Sequence, residues 1–549
     1  MSIQFLVVNN TMNKTKIAIL KFCLEKKQHI TVVDIAQVVN RSLVTVQAYL
    51  RDFKKAGRIA QFSTHGQYQV MTPKIYFENF LWVYKKNQLV GYLDFKGGVY
   101  RFAYRNHYLC EAMALPLSPQ MPLTEKIFYS QKIFPVFEQL IPEGQDRKML
   151  EIKTGSSTDF DWLPLLQHVY GDLQFSKTSL TFEENENFHP IRYTTIKKAL
   201  LGENTFPNIL EWEIEVDEKT LFPENQSLDK AVHSFTPLGL SGWQHKLSLV
   251  LEGNRLRQDK RADYVLKPYN PLGADPHCDE YCPHLALNEH LLMTFAKNEL
   301  GFDVPFSGII KRPNDREYHY VVKRFDRYKG YSFSCHELAR VMGLNSKSQT
   351  SFEKLFKRFK IYIKHPKERL RLLQYYFYSL LVASEEWFLN NFSVMADEKT
   401  IRVAPLYNIL MTGIYDNAFG YEGQLPSDEQ ASQIRLHDFY VLVDLMKVNR
   451  KRFNKAASLI LFNYTHRLPE YIDKLEKVFS EASVYKKSEP DLFSQEPHLS
   501  QSLSLAETLR KSHQIRMAEL EKNGWYTQLD VPPIHVDYPV LQLRLFDGV

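Results

Sequence analysis

Cysteine is scarce, with five residues (Cys23, Cys110, Cys278, Cys282 and Cys335) in 549. That is too few for a disulfide framework and predicts a reducing, cytoplasmic setting. No run of apolar residues approaches the ~18 needed to cross a bilayer, so no membrane span is expected. The opening segment, MSIQFLVVNNTMNKTK, has only a short apolar patch and no small-residue cleavage site, so no signal peptide is expected. Internal repeats and long low-complexity tracts are also missing, which excludes solenoid and fibrous architectures.

A hydrophobic share of 44% with 13% aromatics suits a globular protein with a generous core. The chain is too long for a single core, and about two to four domains are expected. The net charge of +6 is unevenly spread. Residues 1–72 hold ten Lys/Arg against Glu25, Asp34 and Asp52, a local excess of +7 that leaves the remainder near −1. An anionic partner is predicted for this N-terminal unit.

Its pattern reads as a winged helix-turn-helix. Thr15 to Glu25 carries Ile17, Leu20 and Leu24 on one helical face. ITVVDIAQVVN follows, with Thr31 as N-cap and Asp34 three residues on. Asn40-Arg41 makes the turn, Ser42 caps again, and Leu43 to Lys55 is a third helix stopped by Gly57. RIAQFSTHGQYQV then alternates around His65-Gly66 as a two-strand ribbon. Ser42–Arg51 is the expected recognition helix, with Arg41, Ser42, Thr45, Gln47 and Arg51 toward double-stranded DNA. A protein-docking module is the alternative.

Beyond about residue 78 come short strands (LWVYKKNQLVGYLDF, GGVYRFAYR), a Pro-rich stretch and helical material through FPVFEQLIPEGQDRKML. Residues 235–325 read as a mixed sheet, with KLSLVLE, ADYVLKP, SGIIKR and YHYVVKRF as strands and LALNEHLLMTFAKNELG as a helix ended by Gly301. Helices dominate from about 350 to 482. Residues 483–502 read as a polar linker, followed by a helix over Leu505–Lys522 and a β-like end.

Several segments occur in one order: SGWQHKLSL (241–249), VLKP (265–268), NEHLLMTFAKNELG (288–301), VKRFDR (322–327), FLNNFSV (388–394) and APLYNIL (404–410). With VYKKNQLVGYL, LPLSPQMPL and LIPEGQDR upstream, they resemble the HipA family of bacterial serine/threonine kinases, the toxin half of HipA–HipB modules. The resemblance covers about residues 78–482. It does not cover the winged helix-turn-helix read from the N-terminal pattern; the two together imply an α+β chain in which that unit precedes a HipA-like, two-lobed, protein-kinase-like fold with a mostly helical C-terminal lobe. The expected divisions are a winged helix (1–75), a HipA-like N-terminal subdomain (76–190), a kinase N-lobe and hinge (191–345), a helical C-lobe (346–482) and a linker with C-terminal extension (483–549).

The resemblance also implies an ATP site. Ser241 and Gly242 would approach the phosphates, with Gln244 and Lys246 in the nucleotide-covering loop. Lys267 would pair with the α/β phosphates, oriented by Glu289. Backbone groups of Lys323 and Phe325 would meet the adenine, and Asp326 the ribose.

At the catalytic loop the chain departs from the family pattern, D-x-H-x-K-N-F-S followed by P-x-Y-D. Aligned on Asn391, Glu386 takes the place of the catalytic aspartate, Phe388 of the histidine and Asn390 of the lysine. Asn408 takes the place of the metal-binding aspartate, and Asn391 is retained. The added methylene of Glu386 displaces a carboxylate, and a shift of about 1 Å can cost ~100-fold in rate. A neutral amide at 408 balances Mg²⁺ poorly, since that ion favours carboxylates and phosphate oxygens. The expectation is a pseudokinase that holds ATP with Mg²⁺ retention in doubt, compensation by Glu385 or Asp416 being the counter-case. An active serine/threonine kinase toxin using Glu386 as base and a pure interaction subunit are the alternatives. The family's autophosphorylated loop serine is also altered: Gly239-Leu240-Ser241-Gly242 keeps only a second serine.

Two weaker signals remain. His277, Cys278, Cys282 and His284 have zinc-compatible chemistry, but a loop with buried thiols is the preferred reading. The basic run Lys354–Arg371 reads as a solvated helix face, with a second nucleic-acid surface as the alternative. An antitoxin-like partner protein and a homodimer complete the expected partners.

Overall fold

The computed structural model describes residues 12–26, 30–62, 66–112, 114–118, 120–181, 191–223, 235–240, 242, 244–259, 261–278, 280–329, 331–344, 352–384, 391–396, 401–415, 435–487 and 499–534. The N-terminal helices are α1 (Lys14–Lys26), α2 (Val32–Val39) and α3 (Leu43–Lys55), followed by the antiparallel ribbon β1 (Ile59–Gln61) and β2 (Tyr68–Val70). Local chemistry sets their ends. Thr31 Oγ1 accepts from Asp34 N at 3.3 Å, and Thr31 N donates to Asp34 Oδ2 at 2.9 Å, a reciprocal capping box. Asn40, at φ 49°, ends α2 in the left-handed conformation that asparagine tolerates. The buried stripe of α1 is Ile19, Leu20 and Cys23, rotated from the expected one. Ile17 and Leu24 lie at its margins because a second body covers the helix from the side.

That body is an antiparallel sheet of β3 (Phe80–Lys85), β4 (Gln88–Lys96), β5 (Val99–Tyr104), β6 (Phe128–Ser130) and β7 (Leu173–Ser176), in the order β6-β5-β4-β3-β7. Its core is continuous with that of the winged helix: Ile19, Leu50 and Phe53 belong to the same buried cluster as Phe102, Phe137 and Trp162. The contact is also polar. Arg58 is 0% exposed, and its guanidinium donates to Glu125 O, Tyr104 O and Asn106 Oδ1, each at 2.6 Å. One of the ten basic residues counted toward an anionic partner is therefore spent inside the protein. Lys16 is largely spent too, lying 2.8 Å from Asp52 and 2.5 Å from Glu125.

The second sheet is six-stranded, in the order β12-β13-β11-β9-β10-β8. Its strands are β8 (Glu213–Glu215), β9 (Leu247–Glu252), β10 (Arg255–Arg257), β11 (Tyr264–Lys267), β12 (Ser307–Ile310) and β13 (His319–Lys323). It is mixed as expected, β8 being parallel to β10 and the other pairs antiparallel. Helix Leu285–Asn298 is buried on nearly every side, the pattern of a helix sandwiched between layers. One layer is this sheet, through Ile309 and Tyr320. The other is a helical lobe that includes Pro366–Leu381, Arg450–His466, Leu468–Val478 and Leu505–Lys522.

The expected linker is corrected in part. Ser483–Lys487 and Leu499–Ser504 pair as antiparallel strands. Val484 enters the helical core and Tyr485 N donates to the Tyr281 hydroxyl at 3.1 Å, so few apolar residues suffice where the backbone itself is paired. The expected β-like end beyond 534 lies outside the described residues.

Candidate functional site

Between the second sheet and the helical lobe lies a cavity of about 320 Å³. Gly242, Gln244, Lys246, Lys267, Glu289, Lys323, Phe325, Asp326, Asn391 and Asn408 all line it. Ten residues expected from motifs spread over more than 160 positions are thus brought to one place. Ser241 and Glu386 lie outside the described residues, as do Glu385, Phe388, Asn390 and Asp416.

Lys267 closes β11 with its ammonium buried. Nζ is 2.8 Å from both carboxylate oxygens of Glu289 and 2.8 Å from Asn408 Oδ1, and it lies over the Tyr320 ring at 5.5 Å. Asn408 Nδ2 in turn donates to Asn391 Oδ1 at 3.2 Å. The result is a chain of carboxylate, ammonium, amide and amide. It carries one formal negative and one positive charge where the family pattern would add a second acid.

The covering loop shows why glycine is needed. Gly242 has φ 102°, and a Cβ there would sit 2.9 Å from Lys246 Nζ. Lys246 donates to Gln244 O at 2.9 Å. Burial, then the neighbouring Lys267, push its ammonium down to about 8. Between them His245 anchors the loop, with Nδ1 2.7 Å from Asp146 Oδ1 and Nε2 3.0 Å from Thr220 O.

The hinge is more self-satisfied than its sequence implies. Lys323 N donates to Phe306 O at 2.9 Å and Arg324 N to Asp263 O at 2.7 Å, so these amides are used within the fold. The pairing of β12 with β13 continues into the hinge and takes up the Lys323 N–H. Asp326 is 2% exposed. Its oxygens accept from Arg324 at 2.9 and 2.6 Å and from Gly171 N at 2.9 Å, and Arg324 holds the carboxyl below its usual range despite burial. Phe325 offers its ring edge-on to Tyr170 and packs on Tyr407 at 5.5 Å, forming an aromatic wall.

Sequence reasoning missed Glu143, Tyr170, Glu337 and Tyr407, which also line the cavity. Glu143 lay inside the quoted LIPEGQDR segment. Glu337 pairs in register with Ser393, just after Asn391, a long-range relation with no local signal.

Three family models match the chain. The model of the HipA-like C-terminal domain matches residues 238–475, and that of the HipA N-terminal domain matches 81–174. A third, the M protein trans-acting positive regulator (MGA) helix-turn-helix domain, matches 11–56. The chain is a HipA-like protein with an N-terminal helix-turn-helix.

This HipA-like chain is 25% identical over 329 residues to a Sinorhizobium fredii protein bearing the provisional kinase name Y4mE, covering 57% of the chain and 72% of that relative. Its fold is also similar to Shewanella oneidensis HipA, solved with HipB and operator DNA. The TM-score is 0.50 at 16% identity, covering 82% of this chain and all of that one. The two-lobed kinase-like fold is thereby supported.

Elsewhere in this HipA-like protein, the four residues with zinc-compatible chemistry are not assembled. Among the described residues no group of three or more His, Cys, Asp or Glu side chains is placed to hold a metal. His284 instead lies 3.7 Å from Glu317, and burial pushes its ring down to about 4. In the basic run, Leu355, Phe356, Phe359 and Ile363 are buried while Lys354, Lys357 and Arg358 face outward, an amphipathic helix with a solvated face. No helix among the described residues is long and apolar enough to cross a membrane.

On the winged helix, Arg41, Ser42, Gln47 and Arg51 are exposed. The hydroxyls of Ser42 and Thr45 lie 2.9 Å apart, and Ser42 Oγ also accepts from Thr45 N at 3.3 Å. Those two serve the cap of α3, whereas Gln47 and Arg51 project from the helix and Arg41, just ahead of the cap, donates to Asn40 O at 3.2 Å.

Proposed function

We propose that this HipA-like protein is a DNA-binding regulator of toxin–antitoxin type whose kinase body binds nucleotide but transfers phosphate poorly. The observation that carries the reading is the Lys267 cluster. Its ion pair with Glu289 is the pairing that positions a nucleotide's phosphates, while Asn408, beside the retained Asn391, offers an amide where Mg²⁺ would seek a carboxylate. Lys246 and Lys267 fit a polyphosphate. The metal would have to rely on the phosphate oxygens and the two amides. Its chemistry, where bound, is to neutralise charge developing on the transferred group.

The Shewanella relative was solved with HipB and operator DNA. Here a helix-turn-helix is part of the kinase chain itself, so DNA recognition needs no separate antitoxin. The exposed Arg41, Arg51, Lys54 and Lys55 supply the phosphate contacts. The tests are a nucleotide thermal-shift assay with and without Mg²⁺, and a salt titration of duplex binding. Stabilisation by ATP without Mg²⁺ is expected. If about four to six phosphates are contacted, the log–log salt slope should be about −4 to −5. No shift at millimolar ATP would make the body a scaffold, and salt-independent binding would favour a protein-docking module.

The formed Lys267–Glu289 pair also favours a second reading, an active kinase toxin using Glu386 as base. Turnover on the order of 1 s⁻¹, lost in Glu386→Ala, would establish it instead.

A further inference from the structure

An apolar side chain stands where a purely electrostatic DNA contact has no use for one. Val44, in the first turn of α3, is 73% exposed, more than any other large hydrophobic among the described residues. A β-branched residue is a modest helix former, and this one buries little of itself. Neither helix propensity nor packing accounts for it.

Its position does. Successive side chains on a helix are about 100° apart, and the inward face of α3 is set by Val46, Leu50 and Phe53. The line pointing away from that core runs through Val44, Ala48, Arg51 and Lys55. Gln47 and Lys54 lie to one side of this line, with Lys54 Nζ 3.4 Å from Gln61 Oε1 of the wing, and Asp52, its charge matched by Lys16 at 2.8 Å, lies to the other. The face is therefore apolar and small at the N-terminal end of the helix and cationic at the other. Exposed Arg41, just ahead of the cap, adds a further charge at the N-terminal end of the helix. A hydrophobic protein partner would not be matched by this rim of arginine and lysine, whereas a polyanion is. Recognition helices present their N-terminal residues to base edges in the major groove, where the one apolar group a base pair displays is the thymine methyl.

We propose that Val44 packs against the 5-methyl group of a thymine in the major groove, with Gln47 on the same face positioned to read an adenine at N6 and N7. The operator then contains an A·T pair at this contact. The inference rests on the DNA-binding reading above and adds to it a sequence preference and the residue that sets it.

The experiment uses the full chain. A randomised duplex pool is enriched for binders at low salt, and each thymine in the enriched site is replaced in turn by deoxyuridine, which removes only the methyl. Wild-type protein should lose about 4-fold in affinity at one thymine, the worth of one buried methyl group. Val44→Ala should bind the thymine duplex more weakly and lose the thymine–deoxyuridine difference there, while Val44→Ile should keep it. Unchanged thermal melting of both variants shows that folding is intact. If no thymine responds, or if Val44→Ala discriminates as well as wild type, the inference is overturned and DNA binding itself stands. If no duplex is retained at low salt, both fail.

Discussion

Lys267 Nζ lies 2.8 Å from Asn408 Oδ1, so one cation holds both this amide and the Glu289 carboxylate. Asn408 sits at φ 56°, a left-handed conformation that aspartate also tolerates, so Asn408→Asp should be accommodated without backbone strain. It would give Lys267 a second carboxylate and leave an oxygen free for Mg²⁺. Alone it should change phosphoryl transfer little. Combined with Glu386→Asp, the effects should be non-additive, with a gain on the order of 10-fold, because both act on one transition state. Radiolabelled ATP turnover of wild type, both singles and the double checks this, and Asn390→Lys is the natural third change.

Lys267→Met should abolish ATP-induced stabilisation and also destabilise the protein. It leaves Glu289 buried without its cation, and breaking such a pair from one side costs about 3–5 kcal/mol. Lys267→Met/Glu289→Gln should recover much of that loss but none of the nucleotide response. Urea denaturation alongside the thermal-shift assay separates the two effects.

Nucleotide affinity should fall as pH rises through about 8, the value to which burial and Lys267 lower the Lys246 ammonium. The folded site then loses a charge facing the phosphates. The unfolded chain keeps that proton up to the ordinary lysine value of 10.5. Between the two values the unfolded state binds more protons, so this group's contribution to stability rises with pH while phosphate attraction declines. Lys246→Arg should flatten the affinity profile, as titration calorimetry across this range will show.

Arg58→Ala and Arg51→Ala should behave differently although both remove an arginine from the basic N-terminal unit. Arg58 is enclosed by Glu125, Tyr104 and Asn106, and its loss should cost several kcal/mol of stability and loosen the winged helix against the first sheet. Arg51 is exposed, and its loss should spare stability and lower the magnitude of the DNA salt slope by about 1. Denaturant melts and salt titrations of both variants give the comparison.

Much of the local architecture was legible. The starts of α2, α3 and the helix Leu505–Lys522 follow from Thr31, Ser42 and Ser504 accepting from backbone amides three residues on. Such signals act within one turn and need no knowledge of the rest of the chain. The ordered motifs likewise identified Lys267, Glu289, Asn391 and Asn408 as members of one site. The spent amide of Lys323, the committed carboxylate of Asp326 and the cavity positions of Glu143 and Glu337 were not legible. Most of these depend on partners far away in sequence, and even Asp326, paired with Arg324 two residues before it, is completed by Gly171 N.

The sequence by itself therefore determined many of the helices and strands, though not the pairing of Ser483–Lys487 with Leu499–Ser504. Those elements follow from capping and periodicity, while the order of the lobes and the amide standing for an acid at position 408 follow from the ordered motifs and their family resemblance. Only the tertiary structure decided which charges face solvent. It buried Arg58 beneath the winged helix, closed Lys267 onto both Glu289 and Asn408, and left Val44 exposed at the head of α3. Burial and partnership depend on which surfaces meet in space, and a side chain's identity does not fix whether it will meet water or protein.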